Sequence, residues 1–208
     1  MKAGGRQVVL LGAGYDSRAL RFARELAECT VFEVDHPATQ AGKIAGLPAE
    51  TLTSRVLYVG WDFEHGSLAL LPARLHELGL DRDAAVLTIW EGVTMYLGEP
   101  AIEATVRAVR AFGGVGSELA VTYIDRAALV RPDAELGLSR RIVASVGEPW
   151  RFGWHPHELP AWFRAHGFEL RSDVSDADLA RRFYPPAVWP RFRRNNRHLA
   201  VVEVRSST

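Results

Sequence analysis

Short runs of apolar residues alternate along the chain with longer stretches in which apolar residues recur every three or four positions. The short runs predict β-strands and the longer stretches predict helices. The predicted strands cover residues 7–12, 30–35, 55–60, 84–90, 116–124, 168–172 and 198–204. The predicted helices cover residues 16–28, about 37–49, about 67–79, about 99–112, 125–147 and 155–167.

This alternation is typical of an α/β fold built on a doubly wound, mostly parallel sheet. The first run, Val8–Leu11, is apolar without interruption, as expected for a strand that is covered on both faces. No linker-like stretch interrupts the pattern. We therefore expect residues 1–208 to form one domain, a length that is ordinary for a single core.

The overall composition argues against several classes of partner. The 208 residues are 48% hydrophobic, and 25 basic residues balance 25 acidic ones, so nothing global favours nucleic acid or an anionic membrane. No apolar run reaches the roughly 18–20 residues that a membrane span needs. The single cysteine, Cys29, allows no intramolecular disulfide or multi-cysteine metal site. It favours a reduced, cytoplasmic setting and a buried structural role for this residue.

The turn after the first predicted strand carries the most informative chemistry. Gly12, Ala13 and Gly14 form a Gly-x-Gly turn that leads into a predicted helix, an arrangement in which backbone N–H groups approach a ligand closely. A dinucleotide fingerprint has a third glycine where this chain has Ser17. The carboxylate of Asp16 would repel a pyrophosphate, whereas it tolerates a ligand that bears an ammonium group.

Acidic residues follow the next three predicted strands. Asp35 comes 21 residues after Gly14, where an acidic residue typically binds ribose hydroxyls. Asp62 follows the third strand, where it can accept from an adenine amino group, and Glu91 follows the fourth. This set favours a neutral or cationic adenosine ligand such as S-adenosylmethionine over a phosphate-bearing one. The alternative is that Asp35 and Asp62 only cap the helices that follow them.

Three segments in this region resemble a known family. The stretches VVLLGAGYDSRALRF, VFEVDHP and EGVTMYL are similar to motifs of the leucine carboxyl methyltransferase-like branch of the class I S-adenosylmethionine-dependent methyltransferases. This branch includes protein phosphatase leucine carboxyl methyltransferases and many bacterial O-methyltransferases. The resemblance extends from about Gly5 to the closing strands and weakens after residue 125. It implies a seven-stranded Rossmann-like sheet with an antiparallel C-terminal strand, and S-adenosylmethionine as the cofactor.

The resemblance also implies roles for residues at the ends of the strands. Gly12 would pack against the methionine part of the cofactor, and Asp35 would bind the ribose hydroxyls. Asp62, together with the backbone at Phe63, would frame the adenine. Glu91 would lie near the amino group of the cofactor.

Two further motif positions concern the turn and the reacting groups. Asp16 and Arg18 match the DxR segment of the family, and we interpret them as an ion pair that shapes the turn rather than as reacting groups. Tyr96 matches the tyrosine of the EGxxxYL element, which in the family lies beside the transferred methyl group and the substrate carboxylate. We take Tyr96 as the candidate catalytic residue. The alternative is a core tyrosine at the start of a helix.

The chain departs from the family pattern at its front. Family members carry a long helical segment before the first strand, which supplies a lid and an arginine that pairs with the carboxylate of the cofactor. Here Met1–Ala3 stand where that segment would end, and no residue can be assigned the role of that arginine. We therefore expect weak cofactor binding, closure of the site in a homodimer, or a shortened form of a longer protein.

The expected reaction is O-methylation of a carboxylate or hydroxyl group on a small molecule. A carboxylate acceptor needs mainly correct positioning, whereas a hydroxyl acceptor needs a general base. The candidates for that base are His155, His157 and Tyr96. The substrate pocket is expected to come from residues 125–154 and the aromatic C-terminal loop, and no metal is expected. Candidate anchors for an acidic substrate are Arg126, Arg131 and Arg151.

Two functions from other classes compete with this prediction. One is a non-catalytic module that binds S-adenosylmethionine or a partner protein, which the missing front segment makes plausible. The other is a nicotinamide-dependent oxidoreductase, which is disfavoured because Ser17 replaces the third glycine of the dinucleotide fingerprint.

Overall fold

The computed structural model of the protein describes residues 6–48, 55–130, 150–192 and 196–205. Seven strands form one sheet in the order β3-β2-β1-β4-β5-β7-β6. β7 is antiparallel to both of its neighbours, and the pairs among β1 to β5 are parallel. The strands are β1 Gln7–Leu11, β2 Thr30–Asp35, β3 Val56–Gly60, β4 Val86–Trp90, β5 Glu118–Ile124, β6 Phe168–Ser175 and β7 Arg197–Val204. The predicted doubly wound α/β fold with an antiparallel C-terminal strand is confirmed.

Helices connect most of the strands. The α-helices are α1 Arg18–Arg21, α2 Pro37–Gly46, α3 Leu71–Glu77, α4 Glu99–Phe112, α5 Arg126–Val130, α6 Leu159–Ala165 and α7 Asp176–Phe183. Short 3-10 helices cover Leu68–Leu70, Thr94–Tyr96 and Pro186–Phe192. In the part of the chain that the structure describes, no helix combines the length and the apolar character needed to cross a membrane.

The core lies on both faces of the central strands. On one face, Val9 and Leu11 of β1 pack with Phe32 and Val34 of β2 and with the residues of α3 and α4 that face the sheet. On the other face, a smaller cluster contains Val8. All five residues of β1 are buried, as predicted for a strand covered on both sides. Cys29 is also buried, at 4% exposure, as predicted.

The predicted helix over residues 16–28 is wrong in its length, because α1 ends at Arg21 and irregular turns follow to Glu28. The backbone hydrogen bonds in these turns are not uniformly helical. Ala23 N–H donates to the carbonyl three residues earlier, whereas Leu26 N–H donates to the carbonyl four residues earlier. No residue of α1 is buried. Ala19 and Leu26 pack against the smaller core cluster, but an apolar cavity of about 320 Å³ lies beside them, between this segment and the sheet. Because helices are stabilised mainly by packing of their apolar face, poor packing leaves this one short.

Two other predicted helices differ from the observed elements. The helix predicted over 125–147 begins as α5, and residues 131–149 lie outside the described residues. The helix predicted over 155–167 is confined to α6, because residues 156–158 form a turn in which Glu158 N–H bonds the carbonyl of His155. The C-terminal helices after β6 were not predicted.

The parallel register brings the carboxyl ends of four strands to one edge of the sheet. Leu11 at the end of β1 pairs with Val34 on one side and with Trp90 on the other. Asp35 at the end of β2 pairs with Gly60 at the end of β3. The loops after these strands therefore lie side by side, at the edge where open α/β sheets bind ligands.

Two adjacent leucines test the placement of α3 against the sheet. Leu71 is fully buried, whereas Leu70 is 61% exposed. We expect Leu71→Ala to lower the free energy of unfolding by about 2–5 kcal/mol, because it removes buried contacts and leaves a cavity. The matched variant Leu70→Ala should change the same quantity by at most about 0.5 kcal/mol. Urea unfolding measures both, and equal losses would contradict the described packing.

Candidate functional site

The loop from Gly12 to Arg18, here called the glycine loop, turns sharply at the end of β1. Gly12 and Gly14 have φ angles of +66° and +45°, a region that favours glycine. The N–H groups of Gly12 and Ala13 both donate to the carbonyl of Val34, at 2.8 and 3.1 Å. A Cβ atom at position 12 would overlap with Cγ2 of Val93 in the loop after β4. Glycine at position 12 therefore allows the loops after β1 and β4 to touch.

The Asp35 carboxylate joins the glycine loop to the end of β2. Its Oδ2 accepts the Gly14 N–H at 2.5 Å, and its Oδ1 accepts the His36 N–H at 2.6 Å. Helix α2 is capped instead by the His36 side chain, which accepts the N–H of Ala38 at 3.2 Å. The alternative that Asp35 serves as a helix cap is therefore wrong, whereas its contact with ribose stays a prediction.

Asp62 lies beside Asp35, since the N–H of Trp61 donates to the Asp35 carbonyl at 2.7 Å. Oδ1 of Asp62 accepts the N–H groups of Glu64 and His65 at 2.8 and 3.0 Å. Its Oδ2 lies 3.1 Å from Nδ1 of His65. These hydrogen bonds hold the pKa of the Asp62 carboxyl below its usual value, and the two from backbone N–H groups have the largest effect. Asp62 thus caps a turn rather than a helix, and its adenine contact stays a prediction.

Phe63 follows Asp62 in this turn. Its side chain is half-buried and packs against the main core cluster. The packing fixes the backbone of the turn next to the end of β3. The framing of an adenine by that backbone, which the family resemblance implies, stays a prediction.

Arg18 bridges the glycine loop and the loop after β4. Its guanidinium donates to Oδ2 of Asp16 at 2.5 Å and also to Oε2 of Glu91. Its backbone N–H donates to Oδ1 of Asp16 at 2.7 Å. The predicted ion pair between Asp16 and Arg18 is present, and the structure adds Glu91 as a second partner of the arginine. The ion pair thus shapes the turn and also fixes its position relative to β4.

Tyr96 belongs to the same loop as Glu91. It ends the 3-10 helix Thr94–Tyr96, is half-buried, and packs against a small cluster that includes Met95 and Trp150. This loop is tied to β5, because the Gly92 N–H donates to Oγ1 of Thr122 at 2.9 Å. Tyr96 thus lies in a loop that is bonded to β5, five residues after Glu91, and its catalytic role stays a prediction.

A cavity of about 220 Å³ adjoins Glu91 and extends toward the C-terminal strands. Its polar lining includes Tyr123, Asp176, Arg197 and His198. Beside it, Asp173 accepts the Tyr123 hydroxyl at 2.7 Å and lies 3.1 Å from Nδ1 of His198. Burial, together with the bond to Asp173, raises the pKa of the Tyr123 hydroxyl far above its usual value. Burial also raises the pKa of the Asp176 carboxyl.

Sequence reasoning missed these residues of the cavity. Asp173 and Asp176 lie in and after β6, while Arg197 and His198 begin β7. Because β6 and β7 are antiparallel, the end of one strand meets the start of the next at the same edge of the sheet. The only signal in the sequence was a group of polar residues at the borders of two apolar runs.

The predicted substrate contacts in the segment before α6 have other partners. Arg126 donates to the carbonyl of Gly153 at 2.8 Å and covers the ring of Phe152. Arg151 lies 3.9 Å from Glu64, and Arg131 is outside the described residues. Arg126 therefore holds the segment before α6 against the start of α5.

The two histidines of the HPH motif stack on each other, with ring centroids 5.4 Å apart. Nδ1 of His155 lies 3.6 Å from Oδ1 of Asp125. Among the described residues, no group of three or more His, Cys, Asp or Glu side chains is arranged to hold a metal ion.

The predicted site residues carry an excess of negative charge. Asp16, Asp35, Asp62 and Glu91 surround this edge of the sheet, and Arg18 is the one cation among the predicted site residues. The arginine is already bonded to two of these carboxylates. Such an environment disfavours phosphate groups and favours a neutral or cationic ligand with hydroxyl or amino groups to donate.

The fold is that of the Rossmann-like methyltransferases. It is similar to the crystal structure of a DUF574 family protein from Streptomyces avermitilis, with a TM-score of 0.69 and 24% sequence identity, covering 98% of this chain and 77% of that one. It is also similar to the mitomycin 7-O-methyltransferase MmcR, with a TM-score of 0.63 and 13% identity, covering 98% of this chain and 50% of that one. At these identities the likeness shows the fold alone.

The chain belongs to the family described as leucine carboxyl methyltransferase, whose sequence profile matches residues 1–110. Relatives from Streptomyces avermitilis and Streptomyces coelicolor are each 33% identical, and their names class them with S-adenosyl-L-methionine-dependent methyltransferases. The first alignment covers 82% of this chain and 57% of the relative, and the second covers 80% and 56%. This chain thus spans little more than half the length of these two relatives.

Two glycines with positive φ test the contact between the glycine loop and the loop after β4. Gly12→Ala meets both an unfavourable φ and the side chain of Val93, whereas Gly116→Ala, at φ +83°, meets open space. The φ angle alone should cost about 1–2 kcal/mol of unfolding free energy at either position. We expect Gly12→Ala to lose about a further 1–3 kcal/mol from the overlap.

Urea unfolding of both variants measures the difference. Adding Val93→Ala to Gly12→Ala should recover part of the loss, because it removes the overlapping methyl group. Equal losses for the two single variants, with no recovery in the double variant, would show that the two loops do not touch at Gly12.

Proposed function

We propose that the chain is an S-adenosylmethionine-dependent methyltransferase domain that methylates an oxygen, carboxylate or hydroxyl, of a small molecule. The observation that carries the proposal is the joining of the glycine loop to Asp35 and Glu91 at the carboxyl edge of the sheet. The family profile matches residues 1–110, which include all three elements. The family name, which refers to a carboxyl group, supports an oxygen as the methyl acceptor.

The residues present fit this cofactor. A carboxylate has about four lone-pair sites, and Asp35 uses its oxygens for two backbone N–H groups, so it retains capacity for the hydroxyls of a ribose. Glu91 is half-exposed, and among the described residues its bonded partner is Arg18, so it can also accept from the amino group of the cofactor. When bound, the cofactor supplies an electrophilic methyl group. Gly12, Ala13 and Gly14 would line its methionine part, and Asp62 with Phe63 its adenine.

The acceptor would occupy the cavity beside Glu91, since this residue borders both the candidate cofactor site and the cavity. The volume of about 220 Å³ suits a small molecule rather than a macromolecule. Tyr96, in the loop that carries Glu91, would orient the acceptor oxygen. A carboxylate acceptor needs no proton transfer, and a hydroxyl acceptor would need one of the bases named above.

Binding of the cofactor is the first test. In calorimetry, S-adenosylmethionine and its demethylated product S-adenosylhomocysteine should bind, and NADH should not, because the site has an excess of carboxylates. Asp35→Asn should weaken binding of S-adenosylhomocysteine on the order of tenfold, the equivalent of about 1.4 kcal/mol. The matched variant Asp83→Asn alters an exposed acid before β4, at the opposite edge of the sheet, and should bind normally.

Each other outcome of this experiment has a definite meaning. Binding of NADH but not of the sulfonium ligand would favour the nicotinamide-dependent oxidoreductase instead. Binding of neither would contradict every function that uses this cofactor. Equal affinities of Asp35→Asn and the wild type would contradict the role of Asp35.

Methyl transfer is the second test, since it separates an enzyme from a module that only binds the cofactor. A screen with labelled methyl groups over carboxylic and phenolic acceptors should find a methylated product. With that acceptor, Tyr96→Phe should lower kcat while the affinity for S-adenosylhomocysteine stays the same, because Tyr96 is assigned to the acceptor side. Cofactor binding without any product would favour the non-catalytic module.

A further inference from the structure

Glu33 is an acidic residue in the middle of an apolar strand. It lies in β2 between Phe32 and Val34, and its side chain is 2% exposed. Its Oε2 is 2.5 Å from Nζ of Lys43, which is itself 6% exposed. Burial raises the pKa of the Glu33 carboxyl, and the bond to Lys43 opposes that effect. The two residues therefore form a buried ion pair beneath the candidate site.

The ammonium group of Lys43 makes a second bond, to the glycine loop. Its Nζ donates to the backbone carbonyl of Asp16 at 2.6 Å. The side chain of Asp16 is held from the other side by Arg18, and the N–H of Asp16 donates to the carbonyl of Ala13 at 2.7 Å. Lys43 thus connects the inner strand β2 to the centre of the loop through helix α2.

Stability alone does not account for this arrangement. Taking two charges out of water is costly, and a buried ion pair is often replaced by apolar residues with no loss of stability. An apolar pair would fill the same space but would leave the Asp16 carbonyl without its donor. Lys43 provides both a positive partner for the Glu33 carboxylate and a donor for the Asp16 carbonyl. A single ammonium group can do both because it carries three N–H donors.

We infer that Lys43 is a positioning residue, which anchors the Asp16 carbonyl so that the glycine loop is held in the shape that binds the cofactor. The expected effect of Lys43 on cofactor affinity rests on the proposed function. With Lys43 in place, the Gly14 N–H reaches Asp35 and the Arg18 guanidinium reaches Glu91. Without it, the Asp16 carbonyl loses its bond to the interior, so the part of the loop around Asp16 samples other shapes while Gly12 and Ala13 stay bonded to Val34.

The test uses two variants of the whole chain. Lys43→Met alone leaves Glu33 as an unpaired buried charge and can prevent folding. The double variant Glu33→Gln/Lys43→Met removes both charges, so it should fold. The single variant Glu33→Gln removes the carboxylate partner of the buried Lys43 ammonium, which lowers the stability, but it keeps Lys43 and its bond to the Asp16 carbonyl. The two variants therefore separate the ion pair from the anchor of the loop.

Two readouts are measured at a temperature where every variant is folded. The dissociation constant for S-adenosylhomocysteine should rise about tenfold or more in the double variant and less than about threefold in Glu33→Gln, a gap of roughly 0.7 kcal/mol or more. Hydrogen exchange at the Gly14, Asp16 and Arg18 amides, each of which donates within the loop region, should be about tenfold faster or more in the double variant alone.

A matched control removes a buried bond far from the loop. Ser117 is 2% exposed, and its Oγ accepts the N–H of Val86 at 2.9 Å at the opposite edge of the sheet. Ser117→Ala should lower the stability while leaving both readouts at their wild-type values. A change in this control as large as that in the double variant would overturn the inference, because it would trace the effect to lost stability.

The remaining outcomes separate this inference from the proposed function. Wild-type affinity and wild-type loop exchange in the double variant would overturn the positioning role. If the wild type does not bind S-adenosylhomocysteine, the proposed function fails. Hydrogen exchange of the loop then decides alone whether Lys43 anchors it.

Discussion

The hydrogen bond from the Gly14 N–H to the Asp35 carboxylate joins two residues that are 21 positions apart in the chain. It thereby links the ends of β1 and β2, which are neighbours in the sheet. It can form only because the parallel register puts the ends of β1 and β2 at the same edge. It also needs the positive φ angles of Gly12 and Gly14, which turn the backbone toward β2. This turn sets the positions of Asp16 and Arg18, and through Arg18 it meets Glu91 in the loop after β4.

Two cations hold the remainder of the glycine loop, and each of them has more than one partner. Arg18 crosses to Glu91 on the exposed side, and Lys43 reaches up from the buried side to the Asp16 carbonyl. Neither cation is left over to neutralise a phosphate, since each is already paired with a carboxylate. The same contacts that shape the loop thus also set the kind of ligand it favours, which is a neutral or cationic one.

Much of this arrangement could be predicted from the sequence because it depends on the order of the strands. The apolar runs located all seven strands, and parallel pairing then required Asp35, Asp62 and Glu91 to meet at one edge. The pairing of Asp16 with Arg18 was expected from their match to the DxR segment of the family. Glu33 was itself a signal, since an acid inside an apolar strand needs a buried partner, but its spacing from Lys43 in the next helix did not identify that partner.

Other features depend on packing between distant segments, which a pattern of residues does not reveal. The helix expected over 16–28 is short because its packing on the sheet is incomplete: Ala19 and Leu26 pack against the strands, but an apolar cavity lies beside them. The group around Asp173 forms because two antiparallel strands return to the carboxyl edge, where Tyr123 and His198 meet the same carboxylate. The bond from Arg126 to the Gly153 carbonyl could not be predicted from the sequence either.

A crystal structure of the chain with S-adenosylhomocysteine bound would test the role of the carboxyl edge most directly. The ribose hydroxyls should lie within hydrogen-bonding distance of Asp35, and the amino group should lie near Glu91. The Gly14 N–H and the Lys43 ammonium should keep their bonds to Asp35 and to the Asp16 carbonyl. A nucleoside bound elsewhere on the sheet, or a ribose that does not touch Asp35, would show that this edge is not the cofactor site.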